Sequence, residues 1–315
     1  MNGEKEILFL NPVFLEQIWG GNRLATEFHY DTPSERTGEC WAVSAHENGD
    51  CTIGNGTYKG EFLSTLWKDH RELFGNVKGD RFPLLIKIID AKEDLAIQVH
   101  PDDNYAGIHE NGSLGKAECW YVLDCNENAE IIIGHNARDK EELIEMIHKK
   151  EWNRLIRRIP VKKGDFFQID PGTVHAITTG ILILETQQSS DITYRLYDFD
   201  RLSNGVPREL HIEKSIDVIK TPYVERKSER KTTRGPGCFK EGLVECDYYF
   251  VDKIDMDGIQ IFHNTNPFLI MSVSEGKGTI NHIPIKKGDH FIIPSGFGDY
   301  TLEGKLSIII SGINK

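Results

Sequence analysis

One short unit occurs twice in this chain, and each copy dictates a strand, a turn and another strand. Pro160-Val161-Lys162-Lys163-Gly164-Asp165 opens the first copy, and Pro284-Ile285-Lys286-Lys287-Gly288-Asp289 the second. Glycine lets the backbone turn where a side chain would strain it. The apolar residues that follow start a strand, and a Pro-Gly or Pro-Ser-Gly ends it in a second tight turn. Two such units, each set between apolar runs, point to two related β-folds. The copies diverge after the turn, and one difference matters chemically. After Pro171-Gly172 the first presents His175, whereas the second has Gly298 and Asp299.

The rest of the chain agrees with a β-rich reading. FPLLIKIIDA, LAIQVH, CWYVLDC, AEIIIG, ILILETQ, FLIMSVSEG, HFIIPS and LSIIISG are short, β-branched and punctuated by Gly, Pro or Asp, which is the spacing of a sandwich or jelly roll. Two stretches have helical periodicity. EFLSTLWKDHRELFG carries Phe62, Leu63, Leu66 and Trp67 at helical spacing. Residues 139–159 carry Leu143, Ile144, Ile147, Leu155 and Ile156 on one face, with Asp139 as N-cap and Glu142 three residues on. Glu225 to Gly237 is polar with almost nothing to bury and reads as a linker or exposed loop. The expected division is residues 1–230, and 231–315 as a second β-domain.

With 315 residues the chain can bury a substantial core. Its formal net charge of -12 argues against a broad nucleic-acid surface. Cys40, Cys51, Cys119, Cys125, Cys238 and Cys246 form no C-x-x-C pair, and no apolar run approaches a membrane span. The expectation is a cytoplasmic protein with no nucleic-acid or membrane partner.

The strongest chemical pattern lies in LAIQVHPDDNYAGIHENGSLGKAECWYVL. Gln98 and His100 are two apart, so on a strand they emerge on one face. Lys116 and Glu118 repeat that spacing, and His175 follows the first turn. Gln98, His100, Glu118 and His175 together would offer O, N, O and N ligands to zinc or another first-row divalent ion. The competing interpretation is a packed His100 and a solvated Glu118. His109, His135 and His148 are rival imidazoles, read as structural or solvated.

At this point the chain resembles a known family. FLEQIWGG, GECWAVS, FPLLIKIIDAKEDLAIQVHPDD, GKAECWYVL, PGTVHAI and ETQQSSDITYRLYDFDR look like the type I mannose-6-phosphate isomerases in their short bacterial form. The resemblance covers the whole chain. It implies a mainly β double cupin, two jelly-roll β-barrels with a few peripheral helices. It also implies one divalent metal per chain, most often Zn²⁺, on His100, Glu118, His175 and, more loosely, Gln98. The implied reaction interconverts D-mannose 6-phosphate and D-fructose 6-phosphate through an enediol or enediolate. The implied catalytic residues are Arg195, Glu185 and Lys116.

The substrate would be a small phosphorylated sugar, and the assembly a monomer or small homo-oligomer. Other roles for these residues are an Arg195 paired with Asp191 or Asp198, a Glu185 that buttresses Arg195, and a Lys116 at the rim. The chain departs from the family at Ala96, where many relatives carry a serine linked with the phosphate. The phosphate would then rely on other groups, with Arg195 and Lys87 as candidates. Another metal-dependent cupin sugar isomerase or epimerase, or a non-catalytic sugar-binding cupin, is the alternative.

Overall fold

The computed structural model describes residues 5–203, 205–226 and 230–314. The chain is mainly β, with short helices at its periphery. Three antiparallel sheets carry the architecture. A six-stranded sheet runs Phe166–Ile169, Glu118–Cys125, Ile181–Gln188, Leu84–Ala91, Thr37–Val43, Val13–Glu16. A five-stranded sheet runs Ile156–Pro160, Glu130–His135, His175–Ala176, Ile97–Val99, Tyr194–Tyr197. The third, nine-stranded, holds the C-terminal strands together with Leu8–Asn11 and Thr52–Ile53.

The first two sheets face one another. Ile89, Trp120, Val122 and Ile183 of the six-stranded sheet share one buried cluster with Ile131 and Ile133 of the five-stranded sheet. Both sheets are also buried on their other faces: Ile86, Ile88, Leu182 and Leu184 of the six-stranded sheet and Ile97, Val99 and Ile132 of the five-stranded one enter further clusters.

The expected closed jelly-roll barrels are not formed. Each sheet is open and ends in an edge strand on both sides: Phe166–Ile169 and Val13–Glu16, Ile156–Pro160 and Tyr194–Tyr197, Lys231–Gly235 and Thr52–Ile53. Closure requires the two edge strands to hydrogen-bond to each other. Here the sheets are held by side chains across a gap, and the fold is cupin-like without a closed barrel. A turn repeat specifies where strands reverse. It carries no information on whether the last strand meets the first.

The repeated turn itself has the same geometry in both copies. Gly164 and Gly288 have φ of 88° and 91°, in the left-handed region. Asp165 accepts from Lys162 N at 2.9 Å and Asp289 from Lys286 N at 2.8 Å, so each Asp side chain closes its own turn.

The helical expectations hold in part. EFLSTLWKDHRELFG forms helix Leu63–Asp69 and a 3₁₀ turn Arg71–Phe74, which stops at Gly75 with φ 69°. The span 139–159 is shorter than expected. Helix Lys140–His148 ends where Lys150 takes φ 54°, one turn follows at Trp152–Leu155, and Ile156–Pro160 is a strand. In the stretch read as a linker, Lys231–Gly235 is an exposed edge strand paired with Cys238–Glu245. Residues 227–229 of that stretch lie outside the described residues. Among the described residues no helix is long and apolar enough to cross a membrane.

Candidate metal centre and active site

The site lies at one mouth of the gap between the two facing sheets. Gln98 sits on strand Ile97–Val99, paired on one side with His175 and on the other with Arg195. His100 follows that strand, and its carbonyl accepts from Gly172 N at 2.9 Å, which ties its loop to the turn before strand His175–Ala176. Gly172 has φ 86°, and a Cβ there would stand 2.7 Å from the Val218 carbonyl oxygen, so this turn needs glycine. Glu118 arrives at the head of strand Glu118–Cys125 from the opposite sheet.

His100, Glu118 and His175 are all buried, and one ligand atom from each lies within 4.8 Å of the others. The proton positions follow from the partners. His100 Nδ1 is 2.7 Å from the Ile192 carbonyl and His175 Nδ1 is 2.8 Å from the Thr173 carbonyl. A carbonyl only accepts, so each Nδ1 carries the hydrogen and each Nε2 presents a lone pair. The two Nε2 atoms face each other at 3.2 Å.

Glu118 Oε1 is buried without a hydrogen-bond partner 3.3 Å from His175 Nε2, while Oε2 lies 3.4 Å from His100 Nε2 and takes the Lys116 ammonium on its other side. Lone pairs and a carboxylate converge with no proton between them. A cation resolves that arrangement, and two imidazole nitrogens with one carboxylate suit a first-row divalent ion. Gln98 stands beside the cluster, its amide nitrogen 3.2 Å from His175 Nε2.

Charge balance supports the same interpretation. Burial, followed by the Lys116 charge, pushes His100 down to about 3, and burial lowers His175 as well, so both imidazoles stay neutral. Burial opposes ionisation of Glu118, yet the Lys116 charge outweighs it and holds the carboxyl well below its ordinary range. Lys116 Nζ lies 2.9 Å from Glu118 Oε2 as a buried ion pair. Glu185 behaves differently. Burial and then the Glu118 charge push it up to about 7. Trp120 Nε1 donates to its Oε2 at 2.9 Å, and its Oε1 is buried with no hydrogen-bond partner.

A cavity of about 450 Å³ adjoins the cluster, lined among others by Gln98, Lys116, Glu185, Arg195 and Arg208. Arg195 donates through Nη1 to the Glu209 carbonyl at 2.8 Å, and its Nε is buried without a hydrogen-bond partner. It pairs with neither of the carboxylates considered from the sequence. Asp198 is taken by Arg201 and Arg208, at 2.6–2.7 Å, and Asp191 is held by Asn48 and His46. Glu185 is held by Trp120, not by Arg195. Ala96 also lines the cavity.

His109 stacks on Tyr105, His135 lies 3.0 Å from the Lys220 carbonyl, and His148 ends helix Lys140–His148. None of these belongs to the cluster. In the second copy of the turn Asp299 is exposed and pairs with His263, and His290 is buried against Ser272 and Tyr30. Sequence reasoning missed Gln17, Glu39, Trp41 and Arg208, which also line the cavity. The two-residue spacing of Glu39 and Trp41 on one strand was the available signal.

Residues 7–151 match the family model for the catalytic domain of phosphomannose isomerase type I, and residues 240–313 that for the cupin domain of mannose-6-phosphate isomerase. Mannose-6-phosphate isomerase ManA of Bacillus subtilis (strain 168) is 53% identical over 311 residues, covering 97% of this chain and 98% of the relative. The chain belongs to the type I phosphomannose isomerase family. The mannose-6-phosphate isomerase of Streptococcus mutans serotype c is 49% identical over 315 residues, covering 98% of this chain and 99% of the relative. A crystal structure of the mannose 6-phosphate isomerase from Bacillus subtilis superposes with a TM-score of 0.97 at 51% identity, covering 98% of this chain and 100% of that one. A mutant form of the Salmonella typhimurium phosphomannose isomerase shares the fold at 13% identity, with a TM-score of 0.80 over 99% of this chain and 100% of that one.

Proposed function

We infer that this chain is an aldose–ketose isomerase that interconverts D-mannose 6-phosphate and D-fructose 6-phosphate. Beyond family membership, one observation carries the inference. A lone-pair cluster that suits a divalent cation adjoins, through Gln98 and Lys116, a cavity lined by Glu185, a buried carboxylate with one oxygen that has no hydrogen-bond partner.

The reaction moves a proton between C1 and C2 of the open-chain sugar, through an enediol or enediolate. No redox cofactor is consumed. His100, Glu118 and His175 would hold one divalent ion, with Gln98 as a looser fourth partner, and zinc fits that donor set best. Such an ion acts as a Lewis acid towards negative charge that develops on the sugar oxygens.

The proton itself needs a carboxylate poised near neutrality. Glu185 is our assignment, supported by its raised proton affinity and its unpartnered Oε1. Arg195 is assigned to the developing charge, because it is the cavity cation that has no carboxylate partner among the described residues. Lys116 is assigned to a supporting role: it fixes Glu118 and faces the cavity. Ala96 leaves no hydroxyl for the phosphate. Arg208, locked in place by Asp198 and lining the cavity, is a candidate for that end together with Arg195.

We further assign the chemistry to residues 1–230, and to 231–315 a packing role without a metal site. A coupled assay with mannose 6-phosphate, run before and after chelation and again after restoring zinc, tests the function. Turnover that chelation abolishes and zinc restores is expected. Folded, metal-loaded protein without conversion would overturn the assignment.

A further inference from the structure

Four side chains form one row across four neighbouring strands: Trp41 opposite Lys87, Lys87 opposite Glu185, and Glu185 opposite Trp120. Lys87 Nζ stands between the partly buried Glu39 and the buried Glu185, 3.4 Å from Glu39 Oε2 and 3.7 Å from Glu185 Oε1. The Trp41 ring lies 4.9 Å from it.

The two carboxylates are not held alike. Gln17 Nε2 donates to Glu39 Oε1 at 2.9 Å and Trp41 Nε1 to Glu39 Oε2 at 2.7 Å, so Glu39 is fixed at both oxygens. Glu185 is fixed only at Oε2, by Trp120. An ammonium beside a buried carboxylate oxygen with no other partner is strongly drawn onto it, because charges attract more in a low dielectric than in water. Lys87 nevertheless stays at 3.7 Å. The opposing pull comes from Glu39 on the other side, the nearer of the two.

We propose that Glu39 is a positioning residue, which holds the Lys87 ammonium away from Glu185 Oε1 and so leaves that oxygen free to take a proton. The proposal rests on the reading above, in which Glu185 carries the proton. Glu39 itself touches no reacting atom in this scheme. It acts through Lys87, and a tight Lys87–Glu185 pair would block the acceptor oxygen.

The test is a double-mutant cycle with a structural readout. Glu39→Gln keeps the shape and removes the charge. Its crystal structure is expected to show Lys87 Nζ within hydrogen-bond distance of Glu185 Oε1, below about 3.2 Å. Its kcat is expected to fall at least about tenfold with KM within about threefold, because the lost interaction matters in the transition state. Glu39→Asp, which retains charge, is expected to recover most of that turnover. In a Lys87→Met background, adding Glu39→Gln is expected to cost little further activity.

An unchanged Lys87–Glu185 distance in Glu39→Gln overturns the proposal whatever the turnover. So do kcat losses that multiply in the double variant. Should Glu39→Gln not fold, Glu39→Ala, which also removes the charge, carries the same comparison. Turnover of mannose 6-phosphate by the parent protein in the same assay tests the functional reading on its own.

Discussion

His100 and His175 each commit one ring nitrogen to a backbone carbonyl and aim the other at the same point. Replacing either by alanine removes a ligand and leaves Glu118 buried with a poorer partner set. His100→Ala or His175→Ala is therefore expected to lose bound metal and to reduce turnover by about a thousandfold or more, the scale of several kcal/mol of Lewis-acid assistance. Elemental analysis and turnover on the same preparation check this; full occupancy with normal kcat would sink the site. Arg195→Ala should keep its metal and lose about 10²–10³ in kcat, as for removal of one oxyanion donor. Near-normal kcat would exclude the role given to Arg195. Strand periodicity makes Gln98 with His100, and Lys116 with Glu118, legible on shared faces; His175 is marked by the repeated turn, and Arg195 only by the family resemblance. Glu39 had only its two-residue spacing from Trp41 as a signal, because its partners Gln17 and Lys87 come from elsewhere in the chain and only the fold brings them to it.

At the level of elements, the N-terminus of helix Lys140–His148 is specified locally. Asp139 accepts from Glu142 N at 2.8 Å, and Glu142 in turn accepts from Arg138 N at 2.9 Å. Asp139→Ala is expected to lower unfolding stability by about 1 kcal/mol and leave kcat unchanged, as read by denaturant midpoints alongside the activity assay. A kcat change comparable to the ligand variants would mean the cap reaches the site. This cap could be read from the sequence, but the helix end could not. Leu155 and Ile156 continue the helical spacing, yet the left-handed Lys150 breaks the run, and strand pairing with Glu130–His135 claims Ile156–Pro160. Tertiary pairing overrode the local period there. The same limit applies to the barrels. Turns and strands were visible as local patterns, whereas open edges depend on which distant strands meet.

At the level of the whole molecule, the first strand belongs to the last sheet. Leu8–Asn11 pairs with His290–Ile293, and a single buried cluster unites Leu8, Phe74, Phe82, Tyr249, Phe268 and Ile309. His290 sits in that junction, hydrogen-bonded to Ser272 at 2.8 Å and close to the Tyr30 hydroxyl at 3.0 Å, and burial pushes it down to about 3. The folded state thus favours the neutral ring. Its contribution to stability is complete above the ordinary value of 6.5 and is lost as pH falls from there towards 3. By pH 5 the loss is on the order of 2 kcal/mol. Metal-loaded His290→Gln should therefore lose less stability between pH 7 and pH 5 than the parent, by denaturant midpoint. Equal losses would show that this ring does not drive acid sensitivity.

The bond from Gly172 N to the His100 carbonyl joins the loop after strand Ile97–Val99 to the loop before strand His175–Ala176. Its amide proton is consequently a built-in reporter. In hydrogen–deuterium exchange it can be replaced only when those loops part, so its rate measures how often the centre opens. Slow exchange in loaded protein and a marked acceleration after chelation would mean that the ion clasps the loops together. Equal protection in both states would mean that the backbone holds the cage ready before any ion arrives.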